Sequence, residues 1–186
     1  MSDIVDLTVA ERRMQGALDA VRREFSTIRT GRANPSILDR VEVEAYGSKM
    51  PLRSVANVSV PEPRLLTVMP FDPGTIKAIE RAIDTSDIGL NPQNDGKIIR
   101  LPIPELTEER RRQLIRLARG MAEEGRVSIR NVRRDEMRDL HELMKEGEIS
   151  QDDERRAEAE LQQLTNKYVK RIDDALAEKE AELIEV

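Results

Sequence analysis

The chain has no cysteine, no tryptophan and a single histidine, His141. Without cysteine there is no disulfide frame, no thiolate nucleophile, no iron–sulfur cluster and no cysteine-bound zinc. One histidine rules out a histidine-rich metal site and leaves one group for imidazole chemistry. Aromatic residues number four, Phe25, Tyr46, Phe71 and Tyr168, too few for the base-stacking platforms of common single-strand binders. No apolar run approaches the roughly 20 residues that a membrane helix needs. The opening MSDIVDLTVAERRM starts acidic and has no uninterrupted apolar stretch, which speaks against a secretory leader. The expectation is a soluble protein of the cytoplasm. What is abundant is charge, 36% of residues against an average of about 25%. The net charge of −5 argues at first sight against a nucleic-acid partner.

Proline is absent before Pro35 and after Pro104, and that divides the chain. From Ile4 to Ile28 apolar residues recur at steps of three, four or seven (Ile4, Leu7, Met14, Leu18, Val21, Phe25, Ile28), one face of a helix. Glu11 interrupts this face, with Ala10 able to share its place. Gly31 suits a left-handed stop. Between Pro35 and Pro104 the reading is α+β. Residues 41–46 alternate as a half-buried strand does, and Gly47-Ser48 marks a turn. Residues 54–60, 64–69 and 97–103 read as further strands. Asp72 caps a short helix with Pro73 in its first turn and Ile76, Ile79 and Ile83 on its apolar face.

Beyond Thr107, whose following acids suit a helix start, the pattern is helical to about Lys145. It breaks at Gly147 and resumes from a cap at Ser150–Asp153 to about Ile184. Ala157, Leu161, Leu164, Tyr168, Ile172, Ala175 and Leu183 line that last helix. At 1.5 Å per residue the three helices span roughly 40, 60 and 50 Å. Three amphipathic helices bury their stripes most economically against each other. The expected fold class is therefore α+β: a long three-helix bundle from residues 1–30 and 105–186, with a small domain, residues 31–104, inserted. The connectors, Thr30, Gly31, Arg32, Ala33, Asn34 and Pro35 on one side and Leu101, Pro102, Ile103 and Pro104 on the other, make a candidate hinge.

The charge is segregated. From Arg110 to Arg134 there are nine arginines and two acids, a local +7; from Asp139 to Val186 there are fifteen acids and seven bases, a local −8. A helical wheel at roughly 100° per residue puts Arg112, taken as zero, and Arg130 at the same angle. Arg116 and Arg134 fall on one side of them at about +40°. Arg119 at about −20°, Arg126 at about −40° and Arg133 at about −60° fall on the other. Leu114, Ala118, Met121, Ile129, Val132 and Leu143 lie on the far side, between roughly 180° and 260°. Val127 falls within the stripe; Arg110 and Arg111 fall outside it.

A solvated face normally mixes signs. Here acids are scarce and lysine is absent from Arg110 to Arg138. Arginine's planar fork suits phosphate, so the stripe is a candidate surface for nucleic-acid backbone and shape rather than base edges. The competing use is internal pairing with the acidic last helix. His141, at about +20° on the same wheel, is expected to be solvated or to touch phosphate. Residues 91–96 superficially suggest a calcium loop but lack its spacing and closing Glu. No glycine-rich phosphate loop is present, and no metal or cofactor site is expected.

Four strings carry a family resemblance: residues 28–35 (IRTGRANP), 87–92 (DIGLNP), 106–111 (LTEERR) and 127–135 (VSIRNVRRD). They resemble those of bacterial ribosome recycling factors, as does the weaker string at 174–182. The resemblance covers the whole chain. It implies an L-shaped molecule, a three-helix bundle with a hinged β/α/β insertion. It also implies a translation factor that binds the post-termination ribosome and splits it with elongation factor G and GTP, without being an enzyme. Arg130 and Arg133 match the family's key contacts to large-subunit ribosomal RNA, and Arg32 matches a contact position in the connector. The inserted domain is similar to the part that faces elongation factor G. The expected state is a monomer without membrane attachment.

Two other classes are distinguishable by experiment. An acidic helical adaptor or chaperone would bind a protein insensitively to salt and to the stripe. A carboxylate hydrolase would turn over alone, and no pair of acids is positioned for it.

Overall fold

The computed structural model describes residues 5–184, which divide into two compact units: residues 30–107, and the flanking residues 5–29 with 108–184. Ile4, the expected first member of the opening helical face, lies outside the described residues.

The flanking unit is three helices, α1 (Thr8–Ser26), α4 (Glu108–Glu146) and α5 (Gln151–Ile184), each in contact with the other two. Helix α1 is shorter than its apolar period suggests, about 28 Å. Asp6 Oδ1 accepts from the Thr8 N–H at 2.9 Å and sets its start, and the last turn closes at Thr27. Gly31 does take a positive φ, 77°, but five residues beyond Ser26, so it shapes the connector rather than capping the helix. Ala10, Met14, Leu18, Val21 and Phe25 are buried. Glu11 escapes the core sideways, accepting from Lys167 Nζ at 3.0 Å and from the Tyr168 hydroxyl at 3.1 Å. Burial and this carboxylate raise the Tyr168 pKa.

Helix α4 ends at Gly147 (φ 78°). The Gly147 N–H donates to the Met144 carbonyl and the Glu148 N–H to the Leu143 carbonyl, the paired bonds of a Schellman stop. Three residues on, Ser150 Oγ accepts from the Asp153 N–H while Asp153 Oδ2 accepts from the Ser150 N–H, a reciprocal cap. These two devices turn the chain back so that α4 and α5 run antiparallel. The buried face of α4 is Leu114, Ala118, Ala122, Gly125, Ile129, Val132 and Leu140. It extends further round the helix than the wheel reading: Ala122 and Leu140 are inside, Met121 and Leu143 only partly so. On α5, Glu154 and Thr165 join the apolar positions in being buried.

The other unit holds the hairpin β1 (Glu42–Ala45) and β2 (Ser48–Pro51), a single helical turn α2 (Leu52–Val55), then β3 (Ala56–Glu62), β4 (Leu65–Pro70), α3 (Ile76–Thr85), β5 (Gln93–Asn94) and β6 (Ile99–Pro102). The second sheet is antiparallel in the order β3-β4-β6-β5. Two local readings need correction. The hairpin turns on Tyr46 (φ 52°) and Gly47 (φ 77°), the two positive values of a type I′ turn, one residue earlier than Gly47-Ser48. Ser54 and Val55 belong to the helical turn α2, not to the following strand, because Leu52 and Val55 drop into the core from it. Asp72 does cap, accepting from the Gly74 N–H at 2.9 Å, though through a 3₁₀ turn that precedes α3. The core joins Leu38, Val43, Leu52, Leu66, Val68, Ile79, Ile83, Ile99 and Leu101, all nearly inaccessible.

Both ends of this unit are fastened to one turn. The Ala33 N–H donates to the Pro63 carbonyl at 2.8 Å, and the Ile103 N–H to the Arg64 carbonyl at 2.9 Å.

Candidate nucleic-acid interface

Helix α4 carries every arginine of the stripe, and its neighbour α5 sorts them. Arg119 bonds Glu180 and Arg126 bonds Asp173 at 2.8 Å, both acids on α5. Arg133 Nη1 donates to Gln162 Oε1 on α5 at 2.9 Å. These three are the residues at negative wheel angles, the edge turned toward α5. The stripe is therefore not wholly directed away from its own bundle: two packed neighbours cover more of α4 than the apolar positions alone indicate.

The opposite edge is open. Arg130, 46% exposed, pairs with Glu123 of its own helix, at 3.1 Å. Glu123 also meets Arg126 at 2.8 Å. Among the described residues Arg116 and Arg134 form no hydrogen bond or ion pair. Arg112 pairs with Glu108 one turn before it. Val127 is exposed on the same side, so the open edge combines guanidinium groups with a short apolar patch.

The electrostatics agree with this division. Its bond to Glu180 raises the Arg119 pKa. Burial opposes the charge on Arg126, but bonds to Asp173 and Glu123 outweigh it and raise the pKa. Glu123 is held below its ordinary value by Arg126 and then Arg130. Exposed ion pairs are worth about 0–1 kcal/mol, so phosphate can replace the carboxylate on Arg112 and Arg130, whose pairs are exposed on both sides, at little cost.

Other expected site residues fall elsewhere. Arg32 lies in the connector of the 30–107 unit, not on α4. Of the connector residues, Asn34 caps the 3₁₀ turn that begins at Pro35, accepting from the Ser36 N–H at 3.0 Å. Leu101 and Pro102 lie in β6, with Leu101 fully buried. His141 is not simply solvated. Its Nδ1 lies 2.9 Å from Oε1 of the nearly buried Glu154. The loop 91–96 is organised by Asp95, which accepts from the Lys97 and Ile98 N–H groups at 2.9 and 2.8 Å and from Arg100 at 2.5 Å. These bonds lower its pKa to about 2. Among the described residues no cluster of acids or histidine can hold a metal ion, and no helix is long and apolar enough to cross a membrane.

Gln162 and the acids Asp173 and Glu180 were not legible as partners, because interhelical register leaves no local mark in sequence.

The chain matches the family model described as ribosome recycling factor over residues 21–184. It is 75% identical to the ribosome-recycling factor of Rubrobacter xylanophilus over the full length of both chains. It is 51% identical to that of Alkaliphilus metalliredigens over 95% of each. A solution structure of the ribosome recycling factor superposes with a TM-score of 0.71 at 37% identity, covering all of both chains. A second structure matches with a TM-score of 0.59 at 44% identity over 94% of this chain and 95% of that one. It describes the T. thermophilus ribosome recycling factor and the E. coli elongation factor G bound to the E. coli post-termination complex.

Proposed function

Because this chain belongs to the ribosome recycling factor family, we propose that it binds the post-termination ribosome and, with elongation factor G and GTP, separates it into subunits. It acts as a translation factor of the cytoplasm and forms or breaks no covalent bond itself. Its RNA-binding element is the arginine edge of α4, with Arg130, Arg133 and Arg134 at its centre, Arg116 and Arg112 extending it, and Arg119 and Arg126 released from their acids as phosphates approach. Arg32 adds a contact from the connector. The target is the backbone of large-subunit ribosomal RNA.

The observation that carries this reading is the open edge itself. A 39-residue helix in an acidic chain exposes Arg116 and Arg134 without an ion-pair partner among the described residues, and Arg130 with a single carboxylate, Glu123, that it shares with Arg126. Such a rigid rod recognises folded RNA by phosphate spacing and shape. The connectors supply the moving part. Ala33 and Ile103 are pinned to adjacent residues of one turn, so bending falls to residues 30–32 and 104–107, which lie outside any helix or strand.

The test is post-termination ribosome splitting with the factor, elongation factor G and GTP each omitted in turn. Splitting requires all three. Splitting without this chain, or binding to large subunits that is indifferent to salt, rejects the reading and favours a protein adaptor. Arg130→Ala lowers the slope of log affinity against log salt by about one unit for each phosphate that the arginine no longer neutralises.

A further inference from the structure

Arg119, Arg126 and Arg133 stand at seven-residue intervals on α4, and all three reach across to α5. Two are met by carboxylates, Glu180 and Asp173. The third is met by an amide. Gln162 Oε1 accepts from Arg133 Nη1 at 2.9 Å. On its other side Gln162 Nε2 donates to Asn166 Oδ1 at 2.8 Å, one turn along α5. That second bond fixes which end of the amide faces Arg133, since only the oxygen can accept from a guanidinium.

The difference is chemical. A carboxylate that holds an arginine also cancels its charge, and an incoming phosphate must displace it. An amide oxygen holds the same group through a hydrogen bond and leaves the full positive charge in place. Arg133 Nε is buried without a partner, so that donor is walled off and the stem is packed down. The guanidinium is thus anchored on Nη1 and immobilised at its base, with its charge uncompensated.

We propose that Gln162, oriented by Asn166, is a positioning residue for Arg133: it presets the guanidinium for a ribosomal RNA phosphate without neutralising it. This rests on the reading that Arg133 contacts ribosomal RNA. Holding the fork beforehand removes the ordering cost that a free arginine bears on binding.

The test uses the full-length protein and isolated large ribosomal subunits, with affinity measured across a salt series. Gln162→Glu, nearly isosteric, converts the third contact into an ion pair like the other two. It is expected to weaken binding about tenfold at low salt and to lower the log–log salt slope by about one, with an unchanged or raised melting temperature. Gln162→Met keeps the charge but removes the orienting bond, so affinity falls while the slope stays at the wild-type value. In the double variant with Arg133→Ala, Gln162→Glu has no further effect, because its influence runs through Arg133. The proposal is overturned if Arg133→Ala weakens binding while Gln162→Glu does not, or if the two effects add in full. Wild-type binding by Arg133→Ala overturns the RNA-contact reading of Arg133 and this inference with it.

Discussion

Gly125 of α4 faces Val21 of α1 so closely that a Cβ on the glycine would lie 2.3 Å from Val21 Cγ2 and 3.0 Å from Ile172 Cδ1 of α5. All three helices of the bundle meet at this point. Valine in a helix has essentially one χ1 rotamer, so it cannot swing its methyl aside. Gly125→Ala is expected to destabilise the protein by about 1–3 kcal/mol through overpacking. Val21→Ala removes the methyl in the way, so the double variant should be more stable than the two single variants predict. Thermal or urea unfolding of the four proteins measures this; simple additivity would mean that the helices separate to make room.

Gly16 and Gly120 are the contrary case. Each sits inside a helix with nothing within 4 Å of where a Cβ would be. Alanine there removes backbone freedom from the unfolded chain without a clash. Gly16→Ala and Gly120→Ala should each stabilise by about 0.5–1 kcal/mol, read as a raised denaturation midpoint at constant m-value. Destabilisation by either would show that the helix needs the glycine for its curvature.

These three glycines mark how far the sequence reaches. The helices, their order, the Gly147 stop and the Ser150 cap were legible, since each is a local pattern of period or cap chemistry. The apolar face of α3 was legible for the same reason. Tyr46 in a left-handed turn was not, because only Asn, Asp or Gly announces that conformation. The helical turn at residues 52–55 was hidden by a β-like composition. Gly125 looked like any helical glycine, since its necessity is set by Val21, on another helix and far away in sequence. Likewise the arginine stripe could be seen on one helix. Its division into an edge facing α5 and an open edge depends on the register between α4 and α5, which no single helix records.

Asp95 gives the 30–107 unit a specific acid sensitivity. Its carboxylate receives two backbone N–H bonds and Arg100, holding its pKa at about 2 against an ordinary 3.8. A carboxyl whose folded pKa is depressed contributes stability that is complete above the unfolded value and lost as pH falls through the folded one. This contribution should therefore decline between about pH 4 and pH 2. Asp95→Asn keeps an acceptor for the turn but removes the titrating charge, so its stability profile should be flatter in that window. A carboxyl resonance of Asp95 titrating near pH 4 would refute the assignment.

The sorting of the arginines predicts a ranking. Arg134 and Arg116 have no ion-pair partner to displace among the described residues, whereas Arg119 must give up Glu180. Arg134→Ala and Arg116→Ala should each cost more affinity for large ribosomal subunits, and more salt slope, than Arg119→Ala. Arg119→Ala should instead leave the partly buried Glu180 unpaired, with a stability loss of about 1 kcal/mol. Equal effects across all three would mean that the ion pairs to α5 do not persist in solution and that the whole stripe acts as one field.

The connectors can be tested with the chemistry that the chain lacks. Since it has no cysteine, paired cysteines at Thr30 and Glu105 give a unique site for a short thiol cross-linker. Each lies just outside the backbone bonds that tie Ala33 and Ile103 to the turn at Pro63 and Arg64, so a bridge restrains the two crossings; the cysteine at 105 gives up the Glu105–Arg64 ion pair, and the reduced, unbridged variant is the control for that loss. Binding to large ribosomal subunits, which we propose runs through α4, should survive the bridge. Splitting by elongation factor G and GTP should fall, because the cross-linked connectors can no longer bend independently, and reducing a cleavable linker should restore it. Full binding with undiminished splitting would sink the hinge, and the force would then have to pass through connectors that act as fixed struts.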